Sequence, residues 1–164
     1  MLSGAIGFQI LARRLGVELG KGQFSHIEGI DDVEISLIQI RDLAKKHALV
    51  CKAVSTNLSG LEKATKIQPI LCRLKTGRYT ILIKVDQNEV SPKVSVLDPS
   101  EAQPKPKSIE ASEFLKFWDG QGLIFKKSKA LAKEDKEISL GAILDDLFEN
   151  KSIIIQLFII ITFL

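Results

Sequence analysis

Two cysteines and two histidines are all that this sequence of 164 residues has of the residue types that most often hold metals or staple small domains. Two cysteines make neither a disulfide scaffold nor a zinc site, and two histidines leave a histidine-based metal site almost without ligands. Aromatic residues are scarce at 6%, with one tryptophan and one tyrosine. No charge sign dominates: 23 Lys and Arg against 20 Asp and Glu give +3. That is too mild to argue for nucleic acid, and no basic run is interleaved with aromatics. The start, Met1-Leu2-Ser3-Gly4, lacks the basic stretch and cleavage-site pattern of a signal peptide, so a reducing, cytoplasmic compartment is expected. What is present is 45% hydrophobic and 26% charged residues, which suits one domain with its own buried core and excludes a mainly disordered chain.

The periodicity changes along the chain. Ile6, Ile10, Leu11 and Leu15 recur at helical spacing over residues 4–15, with Ser3 at the N-cap position. A glycine-punctuated loop comes next (Gly16, Gly20, Gly22), and Asp32-Val33-Glu34 opens a second amphipathic helix running to about His47. Ala48–Val54 reads as a strand, and Leu58–Ala64 as one or two helical turns. Pro69–Leu74 and Arg78–Val85 are strand-like and joined by a Lys75-Thr76-Gly77 turn. Asp86–Pro92 is a polar turn and Lys93–Leu97 a strand; 98–107 holds three of the five prolines and reads as a loop. Glu110–Trp118 looks helical and Gly122–Phe125 is a last short strand. Helices first and a mostly antiparallel sheet afterwards is an α+β pattern.

Residues 126–137 form a charged linker, and Ile138–Glu149 is amphipathic. From Ile153 to Leu164 there is no charge. That run spans about 18 Å as a helix, short of the roughly 30 Å of a bilayer core, and leaves no polar face for water. The expectation is a chain cut off inside its first membrane helix. Lys126, Lys127, Lys129, Lys133 and Lys136 agree with a cytoplasmic side before it, with Glu134, Asp135 and Glu137 interspersed. A buried C-terminal strand or helix is the other reading of the run.

Little of the remaining chemistry stands out. The cluster Gly16 to Gly22 fails as a phosphate loop: three residues separate Gly16 from Gly20, and Gly22 stands after Lys21 where Ser or Thr is needed. Cys51 and Cys72 lie in apolar runs and read as core thiols. His26 lies after a loop and His47 ends a helix, where an imidazolium suits the dipole. Asp98 ends a strand and precedes Pro99, a place for a turn cap or for a carboxylate that orients a catalytic base.

The order of several short stretches carries more. These are 3–12 (Ser-Gly-Ala-Ile-Gly-Phe-Gln-Ile-Leu-Ala), Gln68-Pro69-Ile70-Leu71, Gly77 to Val85, Leu97-Asp98-Pro99, and Phe114-Leu115 before Gly120. From Ser3 to about Lys127 the chain resembles the N-terminal domain of bacterial ABC exporters of bacteriocin and type I secretion systems. The resemblance implies the papain-like cysteine-peptidase fold of double-glycine leader peptidases, with N-terminal helices packed on the sheet. It implies a peptidase-like domain over 1–127, a linker and amphipathic helix over 128–151, and the start of a membrane helix over 152–164. Active members carry a Cys-Gly pair opening the first helix, a His opening a later strand, an Asp-Pro after the next strand and a Gln a few residues before the Cys. Here Ser3 stands at the nucleophile position and Tyr79 at the His position; Asp98 matches, and no counterpart of the Gln precedes Ser3. A serine alcohol and a phenol with an ordinary pKa near 10 do not make a thiolate and its base.

The degenerate pattern resembles the domain of haemolysin-type exporters, where cleavage is absent and unfolded secretion substrate is bound. That likeness implies a non-catalytic domain with Ser3, Tyr79, Arg73 and Asp98 as substrate-binding candidates, Arg73 standing where a neighbouring aromatic can occur. The implied partners are an unfolded secreted polypeptide, the rest of a homodimeric exporter and a membrane fusion protein, at the bacterial inner membrane with this domain on the cytoplasmic side. ATP and Mg²⁺ are expected only in a nucleotide-binding domain beyond this chain. Two alternatives stay open: an active leader peptidase using Cys51 or Cys72 with His26 or His47, and a purely structural assembly domain.

Overall fold

The computed structural model describes residues 3–19, 34–87 and 91–128. Among them are four helices and six strands: α1 (Ser3–Arg14), α2 (Leu37–Lys46), β1 (Leu49–Val54), α3 (Leu58–Thr65), β2 (Ile70–Leu74), β3 (Tyr79–Asp86), β4 (Lys93–Leu97), β5 (Lys107–Glu110), α4 (Ala111–Phe117) and β6 (Trp118–Lys127). The strands form one sheet in the order β1-β6-β2-β3-β4-β5. The β2–β3, β2–β6, β3–β4 and β4–β5 pairs are antiparallel. This is the expected mixed helix-and-sheet fold. The contacts divide the chain into two units, Met1–Lys126 and Lys127–Leu164. The sheet and helices lie in the first, with only the last residue of β6 across the boundary.

Strand alternation gives the sheet two apolar faces. Leu71, Tyr79, Ile81, Leu123 and Phe125 meet Phe8, Leu11 and Ala12 of α1 and Ile40 and Ala44 of α2. Ile70, Cys72, Leu82 and Val94 meet Leu61 of α3 and Ala111 and Phe114 of α4 on the other. The register shift between Leu82 and Lys84 explains why Val85 joins the face of Leu82 rather than that of Ile81. Each large side chain so buried contributes about 1.5–3 kcal/mol.

Two glycines let α1 lie close on the sheet. A Cβ at Gly4 would stand 2.8 Å from Tyr79 Cδ2, and one at Gly7 would stand 2.6 Å from Leu71 Cδ1 and 3.2 Å from Pro99 Cγ. Phe8 meets Phe125 with ring centroids 5.3 Å apart and tilted by 55°, a favourable aromatic geometry. The sequence pattern Gly4-x-x-Gly7-Phe8 thus fixes where the N-terminus of α1 sits against β3.

Several boundaries differ from expectation. The second helix begins at Leu37, not at Asp32, because Ser36 and Gln39 form a capping box. Glu34 and Ile35 therefore precede it, outside any helix or strand. Lys107–Glu110 pairs with β4 as a short strand where a loop and then a helix were expected. The last strand starts four residues earlier, at Trp118. No helix among the described residues is long and apolar enough to cross a membrane. The expected apolar membrane segment 152–164, the amphipathic helix and all but the first residue of 128–151 lie outside the described residues.

Candidate functional site

The first turn of α1 abuts the first residue of β3. Ser3 is 1% exposed and Tyr79 is 1% exposed. The Tyr79 backbone N–H donates to Ser3 Oγ at 2.7 Å. The Ser3 hydroxyl in turn donates to Glu34 Oε1. That same carboxylate accepts the Ser3 backbone N–H at 2.6 Å and the Gly4 N–H, through Oε2, at 3.0 Å. The opening turn of a helix has N–H groups with no intrahelical partner and a partial positive charge. A carboxylate 31 residues further along the chain satisfies both. Ser3, expected to cap α1, is the first residue within it, and Glu34 does the capping.

The Tyr79 phenol lies between α1 and the chain leading into α2. Its hydroxyl donates to the Ile35 carbonyl at 2.8 Å, not to Asp98. Burial, with Glu34 and Asp119 adding to it and Arg73 opposing, pushes its pKa up to about 12. The phenol is fully protonated near neutral pH.

Asp98 stands just past the end of β4 beside Pro99, the residue that packs on α1 at Gly7. Its carboxylate accepts the Ser100 N–H at 2.9 Å and the Ser100 hydroxyl at 2.5 Å, and meets Arg78 Nη2 at 3.3 Å. Burial pushes its pKa up, but the Ser100 bonds, Arg78 and Lys107 outweigh it and hold the carboxyl below the usual range. Thus Asp98 closes its own turn. Its carboxylate reaches toward Tyr79 through Arg78, the residue before Tyr79. Arg73 pairs with Tyr79 across β2–β3 and meets Asp119 at 3.7 Å.

The other nucleophile and base candidates do not converge here. Cys72 is wholly buried on the sheet face away from α1, and burial pushes its thiol up. Cys51 packs on the α1 face, with burial pushing its thiol up to about 11. Both are protonated at neutral pH. His47 caps the C-terminus of α2, and His26 lies outside the described residues. No group of three or more His, Cys, Asp or Glu among the described residues is arranged to hold a metal ion.

The site therefore presents an alcohol whose proton goes to Glu34 and a protonated phenol whose proton goes to a carbonyl. Neither relays a proton to the other. The order of motifs along the chain places Ser3 and Tyr79 together but leaves out Glu34 and Arg78. Nothing in the spacing marks Glu34, whose acid at an apparent helix start serves a different helix. Arg78 is marked only by its place beside Tyr79.

Residues 2–130 match the model of the Peptidase C39 family. The chain belongs to that family. No curated protein sequence matches this C39 chain. Solved structures do. One is the double glycine motif protease from an AMS/PCAT transporter in complex with the leader peptide: TM-score 0.62, 16% identity, 77% of this chain and 85% of that one. The peptidase domain of Streptococcus ComA, a bifunctional ABC transporter involved in a quorum-sensing pathway, gives TM-score 0.64 at 13% identity over 77% and 91%. The N-terminal peptidase C39-like domain of the toxin secretion ATP-binding protein from Vibrio parahaemolyticus gives 0.59 at 18% over 78% and 98%. At such identities the likeness establishes the fold of this C39 domain.

Proposed function

We propose that this C39 domain is non-catalytic and holds unfolded polypeptide for a type I secretion ABC exporter. The observation that carries the reading is the pairing of Ser3 with Glu34 and of Tyr79 with the Ile35 carbonyl, where a peptidase needs a thiolate and an imidazole. The ligand class is supported by the AMS/PCAT relative, a protease solved with its leader peptide. Ser3 and Tyr79 form the buried floor of the site. Arg73 and Asp98, whose side chains are 42% and 38% exposed, flank it with Arg78 and Asp119.

In this reading Arg73 attracts an acidic, extended polypeptide. The remainder of a homodimeric exporter, with ATP and Mg²⁺ in its own nucleotide-binding domain, does the transport and meets a membrane fusion protein. Residues 128–151 link the domain to a first membrane helix from 152, which sets this domain on the cytoplasmic side of the inner membrane. The test is binding of an unfolded acidic polypeptide to the chain and to Arg73→Glu. Charge reversal should weaken binding by about tenfold, most clearly at low salt. Unchanged affinity in Arg73→Glu would remove this role for the arginine.

A further inference from the structure

The residues at the peptidase positions are covered by a specific piece of the chain. Glu34 sits on the first turn of α1 with three hydrogen bonds, from the Ser3 N–H, the Ser3 hydroxyl and the Gly4 N–H. Ile35 continues the cover. Its carbonyl takes the Tyr79 hydroxyl at 2.8 Å, and its Cγ1 lies 3.0 Å from where a Gly4 Cβ would be. One residue later Ser36 enters the capping box of α2, which anchors the far end. Tyr79 is thereby enclosed between Gly4 and Ile35, and its hydroxyl is already engaged.

We propose that Glu34–Ser36 is an autoinhibitory strap that occupies the α1–β3 cleft as an internal ligand, so that an extended polypeptide reaches Ser3 and Tyr79 only when Glu34 leaves the α1 N-terminus. The Glu34 carboxylate and the Ile35 carbonyl engage the same donors that a bound chain would need. A polypeptide carbonyl or carboxylate must therefore displace them in exchange rather than add to an open site. The strap itself rests on the geometry of Glu34 and Ile35; its consequence for polypeptide rests on the binding role proposed above.

The sequence contains a single tyrosine, so nitration of that phenol by tetranitromethane reads access to the cleft at one position. The chain should be nitrated slowly at near-neutral pH. Glu34→Ala should be nitrated at least about tenfold faster with its circular dichroism unchanged, since the strap loses its charged anchor. Glu34→Gln, which keeps one acceptor for the helix end and so guards against loss of the fold, should lie between. Nitration of both folded variants at the native rate overturns the strap. Fast nitration with tighter binding of an unfolded acidic polypeptide supports the strap and the binding role together. Fast nitration with unchanged affinity supports the strap and counts against polypeptide binding at this floor.

Discussion

Raising the pH should loosen this domain, with Tyr79 contributing beside the half-buried thiol of Cys51 and the buried thiol of Cys72. A phenol ordinarily titrates at 10.0, and here burial pushes it up to about 12. The folded state thus holds the phenolic proton more tightly than the unfolded chain does. The associated stability is fully present below pH 10 and is lost as pH rises through about 12. A rise from 10.0 to about 12 corresponds to stabilisation on the order of 2–3 kcal/mol. That is a sizeable share of the roughly 5–15 kcal/mol that holds a typical domain together. The cause is concrete: ionisation would put a charge into a 1% exposed site facing Glu34 and would remove the proton given to the Ile35 carbonyl. Because there is one tyrosine in the chain, the near-ultraviolet phenolate band reports it alone, and far-ultraviolet circular dichroism reports the fold alongside. Phenolate should appear together with unfolding, well above pH 10. In Tyr79→Phe the alkaline loss of stability should become shallower, the Cys51 and Cys72 thiols keeping the remainder. A phenol that titrates at pH 10 with the fold intact would overturn this prediction, since Tyr79 would then be in water.

The same geometry makes four other outcomes testable. Gly4→Ala should destabilise the domain by about 1–3 kcal/mol despite a better helix residue, because its methyl meets the held Tyr79 ring at 2.8 Å; a thermal melt checks it. Ala48 has a left-handed backbone (φ 52°) just after α2, so Ala48→Gly should stabilise by up to about 1 kcal/mol in urea unfolding. Asp98 has a lowered pKa, so its stabilisation is present above the ordinary carboxylate range and is lost as pH falls through its folded value; Asp98→Asn should reduce the acid-side slope of stability. Ser3→Cys with Tyr79→His should not cleave a double-glycine leader peptide while Glu34 remains on the α1 N-terminus, as mass spectrometry of the digest would read.

Much of the fold was legible because hydrophobic period and turn chemistry agree locally. The hairpin Lys75-Thr76-Gly77 is such a case, with Gly77 at φ 84° as a turn demands. The α1 pattern and the order β2, β3, β4 were legible for the same reason. The strand Lys107–Glu110 was not, since its four residues have three exposed members and pair only with β4. The second helix was placed too early because an acidic residue at a helix start is a usual signal, whereas Glu34 completes a helix 31 residues back. Ser36 and Gln39 carried the correct signal in plain view, at capping-box spacing. The site divides the same way. Ser3 and Tyr79 were found by their order along the chain, but the groups that consume their protons, Glu34 and the Ile35 carbonyl, are tertiary contacts that no local pattern encodes.

The most direct test of the proposed polypeptide binding without cleavage combines two readouts on one sample. The 164-residue chain is titrated with a fluorescent unfolded acidic polypeptide bearing a double-glycine leader, and the mixture is then analysed by mass spectrometry. Saturable binding with the polypeptide intact is the predicted result. A cleaved leader would contradict the account, and so would an absence of any binding.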